Sequence, residues 1–221
     1  MSTTVVITGA NRGIGLAFTK LYLARNCKVF AVCRDASPEL LATEAHVVAA
    51  VDLLHLDSMV RIEEAVGDKK VDILINNAGI LRDEPLGNIN YHTIVEQFHV
   101  NAVGALYVTE SLLQNLGEGS KVAFITSRMG SIADNSSGGR YGYRMSKAAL
   151  NAAAKSLSID LKPKGISIAV LHPGYVQTDM VGNNGDISAE TASERLAQRI
   201  DELELSNSGT FWHSNGEVLP W

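Results

Sequence analysis

Cysteine is nearly missing from this chain. Cys27 and Cys33 are the only two in 221 residues, too few for a disulfide framework or a zinc knuckle, so both are expected as reduced, buried thiols of a cytoplasmic protein. Long basic runs are missing too. The formal net charge is −5 and the pI near 5.7, which removes the electrostatic reason to expect nucleic acid or an anionic membrane as partner. No apolar stretch approaches the length of a membrane span. Met1-Ser2-Thr3-Thr4 runs directly into a short apolar strand, without the basic start and longer apolar stretch of a secretion signal. There is no linker composition, fixed-period repeat or low-complexity tract. The polar stretch from Asp134 to Arg140, rich in Ser and Gly, reads as a loop. What remains is 46% hydrophobic and 19% charged, enough to bury the core of one domain and suited to small-molecule chemistry.

Six short β-prone runs organise the chain: Val5-Val6-Ile7, Val29-Phe30-Ala31-Val32, Val47-Val48-Ala49-Ala50, Val71-Asp72-Ile73-Leu74-Ile75, Lys121-Val122-Ala123-Phe124-Ile125 and Ser167-Ile168-Ala169-Val170-Leu171. Each reads as a buried parallel strand. Helical stretches lie between them. One runs from Ile14 to Arg25 with Ile14, Phe18 and Leu21 spaced for one face, and another, rich in alanine, covers Met145 to Leu161 and ends before Pro163. Strands alternating with helices make βαβ units. The expected fold is therefore α/β, a doubly wound parallel sheet with helices on both faces, in a single domain over residues 1–221.

Two groups of residues carry chemistry. Thr8-Gly9-Ala10-Asn11-Arg12-Gly13-Ile14-Gly15 follows the first strand and opens the first helix. Glycines there let the backbone approach a pyrophosphate, and free amides with the helix dipole attract it, which nominates Gly9, Asn11, Arg12, Gly13, Ile14 and Gly15 for nucleotide binding. Tyr143 and Lys147 stand four apart at the start of the alanine-rich helix, so their side chains share one face. A phenol titrates near 10 unaided; a lysine ammonium beside it favours the phenolate and makes the phenol a better proton donor to a carbonyl. Tyr141 is a rival phenol, but four residues beyond it stands Met145, which cannot act in this way.

The glycine spacing, Thr-Gly-x-x-x-Gly-x-Gly, departs from the Gly-x-Gly-x-x-Gly fingerprint. In that spacing and in the order of the motifs that follow, residues 3 to about 180 resemble the short-chain dehydrogenase/reductases. Tyr-x-Tyr-Arg-x-Ser-Lys-Ala-Ala-Leu-Asn, the compact length and the Leu-Pro-Trp ending are most similar to the C-factor and sniffer-type carbonyl reductases. The resemblance implies a Rossmann-like fold and an NADPH-dependent reduction of a carbonyl compound to an alcohol. It implies Asp52 and Leu53 at the adenine, and Asn76-Asn77-Ala78-Gly79 beside the cofactor. Asn101 would hold a proton-relay water and Ser127 would hydrogen-bond the substrate carbonyl. Tyr143 would be the general acid, and Lys147 would hold the ribose. Pro173-Gly174-Tyr175-Val176-Gln177-Thr178 would grip the nicotinamide, with Pro173, Gly174, Val176 and Thr178 as its contacts.

It further implies a core over about 3–178, a variable substrate cover over about 179–196, and a last helix, strand and tail over about 197–221. A homodimer or homotetramer would pair through helices at about Asn90 to Leu116 and Tyr143 to Leu161. No metal is needed, although His92, Glu96 and His99 have helical spacing that could share one; a solvated helix face is the expected role. His172 reads as a structural or cofactor-side residue. Phe211, Trp212 and Trp221 fit either a pocket or oligomer contact, or a last strand and tail packed on the sheet edge. The C-factor likeness leaves an alternative, a signalling or regulatory protein with incidental turnover.

Two choices follow from position. Ser127 precedes Tyr143 by sixteen residues and Ser131 by twelve, bracketing the family's usual spacing; Ser127 is preferred because it ends a strand, where a parallel sheet presents its ligand groups. NADP(H) is preferred to NAD because Cys33 occupies the position of the ribose-binding acid, with Arg34 next to it and Arg12 as a second cation for the extra phosphate. Asp35, one step past Arg34, is expected to turn away or to pair locally.

Overall fold

The computed structural model describes residues 2–221. At its centre lies one parallel sheet of β1 (Thr4–Thr8), β2 (Lys28–Val32), β3 (His46–Val48), β4 (Ile73–Asn76), β5 (Lys121–Ile125), β6 (Ser167–His172) and β7 (Phe211–His213). The helices are α1 (Gly13–Ala24), α2 (Pro38–Leu41), α3 (Val60–Val66), α4 (Tyr91–Phe98), α5 (Gly104–Ser111), α6 (Tyr141–Asp160) and α7 (Ala189–Asp201). Strand order is β3-β2-β1-β4-β5-β6-β7. After β3 the chain crosses to the other side of β1, so the loops leaving β1 and β4 diverge and open a crevice at the carboxyl edge of the sheet.

Both faces of the strands are covered. Val6, Phe30, Leu74, Phe124 and Val170 belong to one buried cluster, whereas Val5, Ile7, Val29, Ile75 and Leu171 join Phe18 and Tyr22 of α1 and Leu196 and Ile200 of α7 in the other. Alternate side chains of one strand thus enter opposite cores. Each large apolar side chain so enclosed contributes about 1.5–3 kcal/mol. Among the described residues no helix is long and apolar enough to cross a membrane.

The expected doubly wound architecture is present, and its departures are local. The expected third strand stops at Val48, because Ala50 turns left-handed at φ 59°. On α1 the buried residues are Gly15, Ala17, Phe18, Thr19 and Tyr22, with Ile14 and Leu21 only half-buried. Helix α4 runs into a π-helical turn, His99–Val103, before α5 resumes. Helix α7 begins inside the stretch expected to be a cover, because the Ser188 hydroxyl accepts the Thr191 amide at 3.1 Å and caps it. Phe211–His213 forms the last strand, and the Phe211 and Trp221 rings stack at 5.4 Å, which favours the packed-tail alternative.

Candidate active site

β1 ends at Thr8 and α1 starts at Gly13, so the chain must reverse within one short turn. It does so with φ 65° at Gly9 and 51° at Gly13, values that suit glycine. A Cβ on Gly9 would stand 2.8 Å from the Ala78 Cα, and one on Gly15 would run into the Gly9 carbonyl oxygen. The turns after β1 and β4 are stitched together. Thr8 Oγ1 accepts the amides of Asn77 and Ala78 at 3.1 Å each, and Asn77 Nδ2 donates to the carbonyls of Thr8 at 3.0 Å and Gly9 at 3.2 Å. Ser37 braces the outer side, donating to the Asn11 carbonyl at 2.7 Å while capping α2.

These turns border a cavity of about 630 Å³. Gly9, Asn11, Arg12, Gly13, Ile14, Arg34, Asp52, Leu53, Asn77, Ala78, Gly79, Tyr143, Lys147, Pro173 and Thr178 all line it. Gly15, Gly174, Val176, Asn101 and Ser127 are not in the lining. Gly15 keeps α1 against the turn, and Val176 is buried and bridges to Ile187. At the β2 end Arg34 pairs with Asp35 at 3.2 Å and stands 4.0 Å from Asp52, while Arg12 reaches Asp179 at 3.1 Å. Asp35 is thus occupied by its neighbour, although it also borders the cavity.

At the other end, β5 delivers Ser127, whose Oγ accepts the Met129 amide at 3.1 Å in a 3-10 turn over Arg128–Gly130. Gly130 lies where a Cβ would be 2.7 Å from the Lys147 carbonyl carbon, which lets this turn press onto α6. Lys147 Nζ donates to the Ile125 carbonyl at 2.9 Å and sits 5.8 Å from the centroid of the Tyr143 ring. Asn101 is used as a clamp. Its Oδ1 accepts the Ile80 amide at 2.7 Å, and its Nδ2 donates to the Ile80 carbonyl at 2.8 Å and to Ser146 Oγ at 2.9 Å. Ser131, the rival serine, points elsewhere and donates to the Trp221 carbonyl at 3.0 Å.

Residues 3–188 match the model of the short chain dehydrogenase family. The chain belongs to that family. It is 35% identical to a 1-hydroxy-2-glutathionyl-2-methyl-3-butene dehydrogenase of Rhodococcus sp. (strain AD45), covering 99% of this chain and 100% of the relative. It is 46% identical to the C-signal of Myxococcus xanthus over 68% of this chain and 93% of that protein. Two solved structures superpose along the full length of both chains: the carbonyl reductase Sniffer of D. melanogaster, with TM-score 0.89 and 30% identity, and a carbonyl reductase of Pseudomonas aeruginosa PAO1 in complex with NADP, with TM-score 0.86 and 31% identity.

In this short-chain dehydrogenase, burial dominates the titration of the two α6 groups. It pushes the Tyr143 phenol above its ordinary value, opposed by the Ser127 hydroxyl and by Arg140. It pulls Lys147 down to about 8. The expectation of a phenol already acidified by the lysine is not met, because both groups are desolvated together. Burial likewise drives His172 down to about 3, helped by His213 with ring centroids 4.9 Å apart and by Arg128. His172 therefore stays neutral and packs against the His213 ring at the end of β6. His92 Nδ1 lies 3.5 Å from Glu96 Oε1 on the exposed face of α4, and His99 has moved into the π turn.

Thr8, Ser37 and Ile80 join the site without having been singled out. Thr8 was visible as the residue before Gly9, whereas Ser37 and Ile80 matter through contacts with residues 26 and 21 positions away.

Proposed function

We propose that this oxidoreductase is an NADPH-dependent carbonyl reductase of the cytoplasm in which Tyr143 is the general acid. The observation that carries the reading is the convergence of Ser127, Tyr143 and Lys147 at the carboxyl edge of β5, beside the end of a cleft that begins at the glycine turn. The cleft suits a dinucleotide by its own chemistry. The first turn of α1 has no side-chain cap and no acidic residue, so its leading amides are left for an anion. Gly9 leaves no room for a side chain against Ala78.

Gly9 to Gly15 would hold the pyrophosphate, Asp52 and Leu53 the adenine, and Arg12 and Arg34 the additional phosphate. Asn77, Ala78, Gly79, Pro173, Gly174, Val176 and Thr178 would form the nicotinamide side. NADPH, when bound, supplies the hydride for the carbonyl carbon. Ser127 Oγ orients the carbonyl oxygen. Tyr143, kept protonated at neutral pH by its burial, gives that oxygen its proton. The resulting phenolate is stabilised by the Ser127 hydroxyl, by Arg140 and by the Lys147 ammonium, which at a pKa of about 8 remains largely charged at neutral pH. Because the Asn101 side chain is spent on Ile80 and Ser146, the main chain of the π turn, where Gly104 N bonds back to the His99 carbonyl, is the part that would hold the relay water.

Oxidation of NADPH against a panel of quinones, aromatic aldehydes and diketones tests the reading. Turnover of at least one class, faster with NADPH than NADH, is expected. Tight NADPH binding with no turnover of any class would favour the second reading, a signalling protein that keeps the nucleotide fold, which the 46% identity to C-signal supports. A homodimer or homotetramer through the α4 to α6 region is part of the proposal, supported by exposed Tyr91, Val95 and Phe98 on α4 and Met145 on α6. Sedimentation at micromolar concentration tests that assembly.

A further inference from the structure

Glu84 is a buried acid for which the proposed chemistry has no use. It stands in the loop after β4, 1% exposed, and its hydrogen-bond partners are all uncharged. Oε1 accepts from Gln97 Nε2 at 2.5 Å and from the Thr93 hydroxyl at 3.0 Å, while Oε2 accepts the main-chain amide of Gly142 at 3.1 Å. Gln97, 0% exposed, is held in turn by accepting the Arg82 amide at 2.8 Å.

Gly142 immediately precedes Tyr143 in the first turn of α6. That turn lacks a cap of its own, because Arg140 sits at the cap position in a left-handed conformation, φ 50° and ψ 47°, and offers no side-chain bond. An orphan amide at a buried helix end is costly unless an acceptor is brought to it. Glu84 brings one from a distant loop and places its carboxylate at the positive end of a 20-residue helix. The fit is tight: a Cβ on Gly142 would run into Gln97 Nε2 and stand 3.0 Å from Glu84 Oε1 and from the Ile94 Cα.

We propose that Glu84 is a positioning residue for the reductase reaction: its carboxylate, locked by Gln97, pins the first turn of α6 and thereby fixes the Tyr143 hydroxyl relative to Ser127 and Lys147. This rests on Tyr143 being the proton donor. The side chain must be acceptor-only, since both oxygens face N–H donors. In Glu84→Gln, one contact becomes donor against donor, either at Gly142 or at Gln97. In the swapped variant Glu84→Gln/Gln97→Glu the amide at 84 can donate to the carboxylate at 97 and accept from Gly142, and the second carboxylate oxygen still accepts from Arg82. It gives up two bonds, from Gln97 Nε2 to the Thr93 carbonyl and from the Thr93 hydroxyl to Glu84 Oε1, and the Thr93 hydroxyl keeps the Asn90 carbonyl as acceptor at 2.9 Å.

The experiment compares the full-length wild type with both variants by kcat, KM, NADPH dissociation constant and amide hydrogen exchange over residues 141–147. Glu84→Gln is expected to lower kcat about tenfold or more, as a small displacement of a reacting group does. KM and the NADPH constant should stay within about twofold, and exchange over 141–147 should rise. The swapped variant should recover kcat to within about threefold of wild type together with the protection. A Glu84→Gln enzyme with unchanged kcat, unchanged exchange over 141–147, or a loss that the swap does not recover would overturn the proposal. A wild type that reduces no carbonyl compound would refute the functional reading instead, and the exchange data would still decide whether Glu84 pins the turn.

Discussion

Ser131 donates its hydroxyl proton to the carbonyl of Trp221 at 3.0 Å, and the amides of Ile132 and Ala133 converge on the same oxygen at 3.1 and 2.9 Å. The serine nearer to Tyr143 in sequence is thus committed to the tail, and Ser127 is left facing the phenol. Ser127→Ala should lower kcat by about 10²-fold, the cost of losing one oriented donor at a developing oxyanion. Ser131→Ala should leave kcat within about threefold and cost about 1 kcal/mol of stability for a lost hydrogen bond. Steady-state kinetics and urea unfolding of the two variants measure this, and the reverse order of damage would move the substrate contact to Ser131.

Cofactor choice should follow the two arginines. Arg34 and Arg12 both border the cavity; Arg12 pairs with the exposed Asp179, and Arg34 with the exposed Asp35 and, at 4.0 Å, with the half-buried Asp52. Exposed pairs of this kind are worth roughly 0–1 kcal/mol, less than a charge-assisted contact to phosphate. The ratio of kcat/KM for NADPH over NADH should fall by about 10- to 100-fold in Arg34→Ala and in Arg12→Ala, or ~1.5–3 kcal/mol. A ratio unmoved by either change, or a wild type that prefers NADH, contradicts the assignment.

His172 makes stability depend on acid. Folded, it is held down to about 3 by burial first and then by His213 and Arg128, and its Nδ1 is enclosed without a partner. Unfolded, it protonates near its ordinary 6.5. Its stabilising contribution is therefore complete above pH 6.5 and is lost as pH falls from about 6.5 towards 3, because there the unfolded chain binds the extra proton. The loss is on the order of 5 kcal/mol over that whole range, of which about 3 kcal/mol falls between pH 6.5 and 4. Urea unfolding of His172→Gln between pH 7 and 4 should show a shallower fall than wild type.

Much of this was legible in the order of strands and motifs, because parallel strands buried on both faces and a glycine turn between strand and helix leave local marks. Arg34 and Asp35 illustrate how far adjacency reaches: of the two alternatives for the acid, turning away or pairing locally, it pairs with Arg34 at 3.2 Å, while still bordering the cavity. The π turn at His99–Val103 left no mark, since no glycine or proline interrupts the apolar pattern there. Glu84 was equally hidden. Two adjacent acids in an irregular loop, Asp83 and Glu84, carry no period, and the Glu84 partner Gly142 lies 58 positions away. The depth of burial that raises Tyr143 and lowers Lys147 was also out of reach, because it depends on how β5, α6 and the β4 loop close together. The start of helix α7 was hidden for another reason: Ser188 is an ordinary cap residue, but it lies in a stretch that the family resemblance marked as variable.

The most direct measurement is turnover by Tyr143→Phe, with NADPH affinity followed separately by fluorescence. The change removes one hydroxyl and leaves the buried ring beside Lys147. The account predicts a fall in kcat of ~10²–10⁴ or more with the NADPH dissociation constant nearly unchanged, as expected when a general acid is lost. Turnover within about threefold of wild type would contradict it, since no other phenol stands above Lys147 on α6.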